Sequence, residues 1–294
     1  MIGETKSEKI FKVFNYTFLL LFGILALYPF WYVLVASLNT GRDFARGGVY
    51  FFPREFTWEN YMLAFRDSRI YASLQVSVFT TIMNVITSLI ATVLFSYAIS
   101  VKTLPGRSFF AFMFFFTTIF SGGMIPYYIL LRDLGLTKSI WLYIVPTLYS
   151  FFNFLLMRTY FDNIPQEMRE SAHIDGAGEM TIMFKIYVPL SMPILATLAL
   201  FVGVGRWNDW FMGAYYQSRQ ELMPAATLLK ILLSEASTSM VKSGQETTTQ
   251  TLTSYTPQSM QMAFVMILTM PIVVIYPFLQ KYYVKGVMIG SVKG

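Results

Sequence analysis

Six stretches of this chain contain no aspartate, glutamate, lysine or arginine, and they are 19 to 34 residues long. About 20 helical residues, each rising 1.5 Å, cross a hydrocarbon core of roughly 30 Å. The pattern therefore predicts an all-α polytopic membrane protein with six transmembrane helices. The uncharged windows are Val13–Gly41, Tyr71–Val101, Ser108–Leu131, Ser139–Met157, Ile186–Gly205 and Thr247–Gln280.

A single transmembrane domain over residues 1–294 accounts for these windows. Only 13% of the residues are charged, whereas soluble domains carry about 25%. We expect a cytoplasmic loop at 158–185 and two long outer loops at 38–72 and 206–259. The expected spans are about 13–37, 73–101, 109–131, 140–157, 186–205 and 260–282.

The lysines and arginines beside the spans predict the orientation. Lys102 and Arg107 lie in a short connection without acidic residues, and lysines also flank the first and last spans. Short cationic segments next to spans are retained in the cytoplasm. We therefore expect both termini on the cytoplasmic side of a bacterial inner membrane.

Several classes of function are excluded by missing residues. The chain has no cysteine and a single histidine, His173, so thiolate and multi-histidine metal sites are excluded. HExxH, GxSxG and phosphate-binding P-loop motifs are absent, and the uncharged windows leave no ionisable residue for proton coupling. A non-catalytic subunit is favoured, and a membrane-embedded enzyme remains the less favoured alternative.

The loop at 158–185 predicts a helix, a turn and a second helix. Asn163 and Pro165 are typical of a helix start, which predicts a helix over Ile164–Ile174 and a short one over Glu179–Phe184. Acidic residues outnumber basic ones in this loop. Such a projection suits either a basic groove on a soluble partner or plain solvation.

The same loop carries a specific resemblance. Its pattern, with fixed spacing over about 24 residues, resembles the EAA motif of ABC importer permeases; Ser171 stands where alanine is usual. The matching residues are Glu170, Ser171, Ala172, Asp175, Gly176, Ala177, Phe184, Ile186, Pro189, Leu190 and Pro193.

The resemblance extends over nearly the whole chain. The segments SGGMIPYYILLRDLGL and YPFLQKYYVKGVMIGSVKG look like the MalG-like carbohydrate-uptake permeases, and closer still to their LplC-type branch. That branch implies import of complex oligosaccharides, including alginate. A permease for another solute class remains an alternative.

The resemblance also implies an assembly. It would contain this chain, a sister permease as heterodimer partner, two ATPase subunits and an extracytoplasmic solute-binding protein. ATP and Mg would bind the ATPases, and this chain would bind no cofactor. The EAA loop would be the coupling helix, with His173 as a solvated or docking-face residue. Coupling to the ATPase is implied for Glu170, Ser171, Ala172, Asp175, Gly176, Ala177, Phe184 and Pro189.

The C-terminal segment is basic, free of acidic residues and rich in glycine, which suits an extended tail lying along a partner. The resemblance implies docking on the ATPase pair, and a disordered solvated tail is the alternative. The expected docking residues are Lys285, Val287, Met288 and Ile289.

The outer loop at 206–259 begins with an aromatic and amide-rich stretch. Aromatic faces pack on sugar rings, and Asn and Asp bond their hydroxyls, so contact with sugar or binding protein is expected. An aromatic belt at the membrane interface is the alternative, especially for the two tryptophans. The candidates are Trp207, Asn208, Asp209, Trp210, Tyr215 and Tyr216.

Overall fold

The computed structural model describes residues 5–243 and 256–291, and within these ranges the chain forms helices and turns and no β-strand. Short 3-10 turns connect some of the helices, and a π-helical segment covers Met183–Tyr187. The α-helices are α1 Lys6–Ser37, α2 Gly41–Ala45, α3 Glu59–Arg66, α4 Ser68–Ser100, α5 Arg107–Ile119, α6 Met124–Asp133, α7 Phe151–Asp162, α8 Gln166–Ile174, α9 Glu179–Ile182, α10 Val188–Leu190, α11 Met192–Trp207, α12 Phe211–Tyr216, α13 Ala225–Ser243 and α14 Pro257–Ser291.

Three helices in the described ranges are continuous, long and apolar enough to cross a membrane: α1, α4 and the Gln258–Pro277 part of α14. Three bent pairs also qualify by composition, so the described chain has up to six spans if each pair is one span. Helices dominate because lipid offers no partner for backbone polar groups, which must then bond within the chain.

The bent pairs divide windows that were predicted as single spans. Within 109–131, α5 and α6 meet at 116°, and Gly123 between them has φ +87°. Within 140–157, the 3-10 turns and α7 meet at 46°. The segment preceding α11 meets it at 81° near Ser191, where Pro193 supplies no backbone N–H.

Two compact units share the chain: Met1–Ser68 with Leu232–Thr269, and Arg69–Ile231 with Met270–Gly294. In the first, the predicted outer loop at 38–72 contains α2 and α3 and ends earlier than expected, because α4 already begins at Ser68. Thr40 N donates to Glu55 O over 3.0 Å. The buried Asn60 amide donates to Ser37 O and accepts from Ser259 Oγ, both over 2.9 Å. These hydrogen bonds, several of them made by Asn and Thr residues, hold the loop in one conformation.

In the second unit, α4 carries a buried polar stripe at helical spacing. Asn84 Nδ2 donates to Tyr143 O over 3.1 Å, and Ser96 Oγ donates to Phe154 O over 3.1 Å. Small polar residues allow helices of membrane proteins to approach closely and to bond across the contact. The stripe consists of Ser73, Ser77, Thr80, Asn84, Ser88, Thr92 and Ser96.

The last helix corrects one expectation. α14 continues through Ser291, so the backbone that was expected to be extended after residue 282 is helical as far as 291. The side chains of Lys285, Val287, Met288 and Ile289 lie outside the described residues. The predicted outer loop at 206–259 contains α12 and α13, and its residues 244–255 lie outside the described ranges.

Candidate functional site

The predicted helix of the EAA-like loop is present and begins two residues later than expected. α8 starts at Gln166 after Pro165, without a side-chain cap. Asn163 instead ends α7, and its Nδ2 donates to Thr159 O over 2.7 Å. The helix starts after Pro165 because the ψ of that residue, 132°, is not helical.

A left-handed glycine closes α8. Gly176 has φ +80°, a conformation that favours glycine. Ala177 N donates to Ala172 O over 2.9 Å, and Asp175 N donates to Ser171 O over 3.1 Å. The bond from Ala177 to Ala172 spans the turn as the 6→1 bond of a Schellman motif does. We call residues 166–180 the motif loop; its turn is fixed by backbone bonds.

Two alanines attach the motif loop to the body of its unit. Ala172 and Ala177 are partly buried and pack against the apolar core. Small side chains at these positions allow the loop backbone to lie close to that core. The buried core residues are Val93, Tyr97, Met157, Phe161, Ile164, Ile182, Met183, Tyr187, Ile194 and Leu198.

A polar cluster around Glu179 joins the motif loop to α4. Tyr97 OH donates to Glu179 Oε2 over 2.5 Å, and the Arg169 guanidinium pairs with the same carboxylate. His173 Nε2 lies 3.2 Å from Glu179 Oε1. The hydrogen bond to Glu179 raises the pKa of Arg169. Sequence reasoning used Glu179 as an acidic residue of the loop and as the start of its second helix, and no local pattern reveals its bond to Tyr97.

The outward side of the motif loop combines apolar and acidic groups. Ile174 is 87% exposed, Met168 and Met180 are also exposed, and so is Phe184 four residues beyond the loop. Exposed carboxylates accompany them, and Pro189 is exposed further along the chain. Of the predicted coupling residues, only Ala172 and Ala177 are partly covered. The exposed polar or small ones are Glu170, Ser171, Asp175 and Gly176, and the exposed Glu167 lies on the same helix.

The aromatic candidates at 207–216 fall into separate environments. Trp207 is buried and lines an apolar groove of about 370 Å³ together with residues such as Val78 and Pro271. Tyr216 is buried, with its ring 5.3 Å from that of Tyr127.

The remaining candidates of this stretch lie at its surface or act within the chain. Trp210 and Tyr215 are exposed, and Lys230 Nζ lies 5.3 Å from the Trp210 ring. Asn208 is exposed and donates to Val204 O over 3.0 Å. The stretch therefore presents part of its aromatic surface and uses the rest for packing.

Arg206 was placed in the outer loop by the sequence, but it lies in α11 and its side chain is only 2% exposed. Its Nη1 lies 2.9 Å from Asp209 Oδ2, and its guanidinium carbon lies 4.9 Å from the Tyr143 ring centre. Asp209 Oδ1 accepts from Phe211 N and Met212 N, over 2.9 and 3.1 Å. Asp209 thus caps α12 and pairs with the buried cation.

Arg206 and Asp209 line a cavity of about 340 Å³ that we call the polar cavity. A volume near this size falls within the usual range of small-molecule sites. No cluster of three potential metal-ligating His, Cys, Asp or Glu residues occurs in the described ranges. The lining residues are Asn84, Ser88, Pro146, Thr147, Tyr149, Ser150, Asn153, Phe201, Val202, Gly205, Arg206 and Asp209.

Helices long and apolar enough to cross a membrane, together with an exposed loop that carries the EAA-like sequence, are the features of a polytopic membrane protein. Residues 76–289 match the family model described as "Binding-protein-dependent transport system inner membrane component". The match covers more than half of the chain, which therefore belongs to this family of transport permeases.

Curated relatives extend the similarity to the full length. The "Polygalacturonan/rhamnogalacturonan transport system permease protein YtcP" of Bacillus subtilis (strain 168) is 36% identical over 291 residues, covering 98% of this chain and 100% of the relative. "Protein LplC" of the same organism is 34% identical over 295 residues, covering 99% and 97%.

A solved structure shares the fold. It is described as "Crystal structure of a bacterial ABC transporter involved in the import of the acidic polysaccharide alginate". The matched chain superposes with a TM-score of 0.85 at 30% identity, covering 96% of this chain and 100% of its own length. The resemblance to carbohydrate-uptake permeases predicted from the sequence is thereby confirmed.

Proposed function

We propose that this chain is one permease subunit of an ABC importer for oligosaccharides made of uronic acids. The observation that carries the proposal is full-length similarity, at 36% identity, to a permease named for polygalacturonan and rhamnogalacturonan transport. The alginate importer with the same fold is named for another acidic polysaccharide. Polygalacturonan fragments are the more specific expectation because that relative is the more similar in sequence.

The proposed topology has six spans and both termini in the cytoplasm. Its support is the cationic, acid-free connection at Lys102 and Arg107 together with the six apolar windows. The segment at 38–67 and helices α12 and α13 then lie outside. The chain would be a multi-pass protein of the bacterial inner membrane, as the family description implies.

The motif loop is the proposed docking site for an ATPase subunit. An 87% exposed isoleucine, Ile174, beside three carboxylates suits a partner cleft with an apolar floor and basic rim. Ala172, Ala177 and the Glu179 cluster connect the loop to the apolar core and α4. A force on the loop can therefore reach the spans.

The proposed assembly contains a sister permease, two ATPases and a solute-binding protein. ATP and Mg would bind the ATPases, whose closure would switch the pathway between inward-facing and outward-facing states. The last part of α14 would also dock on the ATPase pair, through Lys285, Val287, Met288 and Ile289. The exposed Trp210 and Tyr215, with Asn208, remain candidates for binding-protein contact, whereas Trp207, Asp209 and Tyr216 face their own chain.

The substrate class is tested with the purified four-component importer. ATP hydrolysis is measured with binding protein loaded with oligogalacturonate, oligoalginate or a neutral maltooligosaccharide. We expect the uronate oligomers to stimulate hydrolysis and the neutral oligomer to have no effect. Stimulation by the neutral oligomer alone would refute the proposed substrate class.

Docking is tested at Ile174, with Ile174→Asp compared against Ile174→Leu. Because the side chain is exposed, neither variant should affect folding of the permease. The aspartate variant should lose co-purification with the ATPase, and the leucine variant should retain it. Normal co-purification of both would exclude Ile174 from the interface.

A further inference from the structure

One side of the polar cavity lies at the middle of α4, and another side is formed by Arg206 and Asp209 at the end of α11. Asn84 is the central residue of α4, which runs from Ser68 to Ser100. Tyr97, at the motif loop, is thirteen residues further along α4, which corresponds to about 20 Å. Polar side chains at such a depth are expensive unless they face protein partners or a water-filled space.

Unpartnered polar groups line the cavity. Asn153 is 7% exposed, and its side-chain amide has no hydrogen-bond partner among the described residues. Ser88 Oγ and Arg206 Nε are likewise buried without a hydrogen-bond partner in the described part of the chain. An unsatisfied buried polar group costs about 1–3 kcal/mol. Ser88 Oγ and Arg206 Nε have almost no accessible surface, so the Asn153 amide is the one of these three groups that an occupant of the cavity can bond.

Other lining groups are held in place by the chain itself. Asn84 binds Tyr143 O and Thr147, and Tyr149 OH donates to Phe114 O over 3.3 Å. The wall is therefore preformed. Its amides, hydroxyls and an aromatic ring are the groups that bind sugar hydroxyls and C–H faces.

We propose that the polar cavity is a transit subsite for one pyranose ring of the transported oligosaccharide, with Asn153 as its contact residue. The proposal rests on the proposed function. Arg206 and Asp209 pair with each other, so the wall is formally neutral. Recognition therefore uses ring hydroxyls, and a carboxylate on the ring is not required.

The first test measures uptake of oligogalacturonate by the complete importer in proteoliposomes. Asn153→Leu keeps a side chain of similar size and removes both hydrogen-bonding groups. Loss of one buried hydrogen bond in transit should lower the maximal uptake rate about tenfold. Assembly and the affinity of the binding protein for the sugar should stay unchanged.

Thr87→Val is the matched control. Thr87 lies beside Ser88 on α4, but its Oγ1 donates to Met83 O over 2.7 Å and it does not line the cavity. The uptake rate of this variant should stay within about twofold of the unmodified importer, because the substituted side chain does not contact the cavity. Equal uptake by both variants would overturn the proposal.

A second test needs no comparison of rates between variants. The chain has no cysteine, so Asn153→Cys provides a unique thiol. A small water-soluble methanethiosulfonate should modify it, and oligogalacturonate should slow the modification during turnover. No modification would show a dry cavity, and modification unaffected by sugar would show a water site only; either result overturns the proposal.

The two proposals fail differently. If oligogalacturonate and oligoalginate both fail to stimulate ATP hydrolysis in the unmodified importer, the proposed substrate class is wrong. If the unmodified importer transports oligogalacturonate while Asn153→Leu transports it equally well, the class stands and the subsite is wrong.

Discussion

Gly176 and Gly178 provide a matched pair for testing the turn of the motif loop. Gly176 has φ +80°, whereas Gly178 has φ −77°, and an added Cβ would meet no atom within 4 Å at either position. The two glycines thus differ in backbone conformation and share an open environment. Strain in the left-handed backbone is therefore the main expected difference between their alanine variants, with the N-cap position of Gly178 in α9 as a smaller one.

The expected magnitude follows from that conformation. An L-residue in the left-handed region costs roughly 1–2 kcal/mol, so Gly176→Ala should lower the equilibrium population of the intact turn about 5- to 30-fold relative to open forms. Gly178→Ala should change stability by less than about 1 kcal/mol, because the loss of a favoured N-cap residue opposes the gain from a less flexible open form. Gly176→Asn should be milder than Gly176→Ala because asparagine tolerates this region better.

The assay is amide hydrogen exchange of the motif loop in the permease pair without ATPases. Ala177 N–H is the informative probe, since it donates to Ala172 O across the turn. Its exchange should accelerate in Gly176→Ala and remain slow in Gly178→Ala. The accelerated variant should also show weaker ATPase docking. Equal exchange in both alanine variants would refute the argument from backbone strain.

Two further predictions concern topology and packing. Single cysteines replacing Lys138 and Lys102 are labelled in intact cells with an impermeant thiol reagent. The cysteine at 138 should react, and the cysteine at 102 should react only after the cells are permeabilised. The reverse pattern would show that the proposed orientation is wrong. Gly213→Ala would place a Cβ 2.9 Å from Thr227 Cβ. Overpacking costs about 1–3 kcal/mol and should lower the thermal unfolding midpoint of the purified complex, and adding Thr227→Ala should restore part of it. An unchanged midpoint would show that the contact can relax.

Charge-free windows predicted where the apolar helices lie, because each window reports the local composition that lipid requires. The breaks within three of the windows were not predicted. Gly123 and Pro193 are visible in the sequence, but glycine and proline also occur in continuous spanning helices, as Pro29 does in α1. Only the packing of neighbouring segments decides between a kink and a break.

The motif loop was predictable because its residues are close in sequence. The Glu179 cluster was not, since its tyrosine is 82 residues away in the chain. The polar cavity was not predicted either, because the spans were located by their lack of charged residues and uncharged polar residues were not considered. Small polar residues recur at helical spacing from Ser73 to Ser96, and that period could have indicated a buried polar face on α4.

The central claim, that this chain forms a pathway driven by a separate ATPase, is tested most directly by uptake into proteoliposomes. The vesicles contain this permease, its sister permease and the ATPase pair, with binding protein and labelled oligogalacturonate outside and ATP inside. We predict accumulation that requires both ATP and the binding protein and that persists with a protonophore. Accumulation without ATP, or its loss on adding the protonophore while ATP is maintained, would contradict the account.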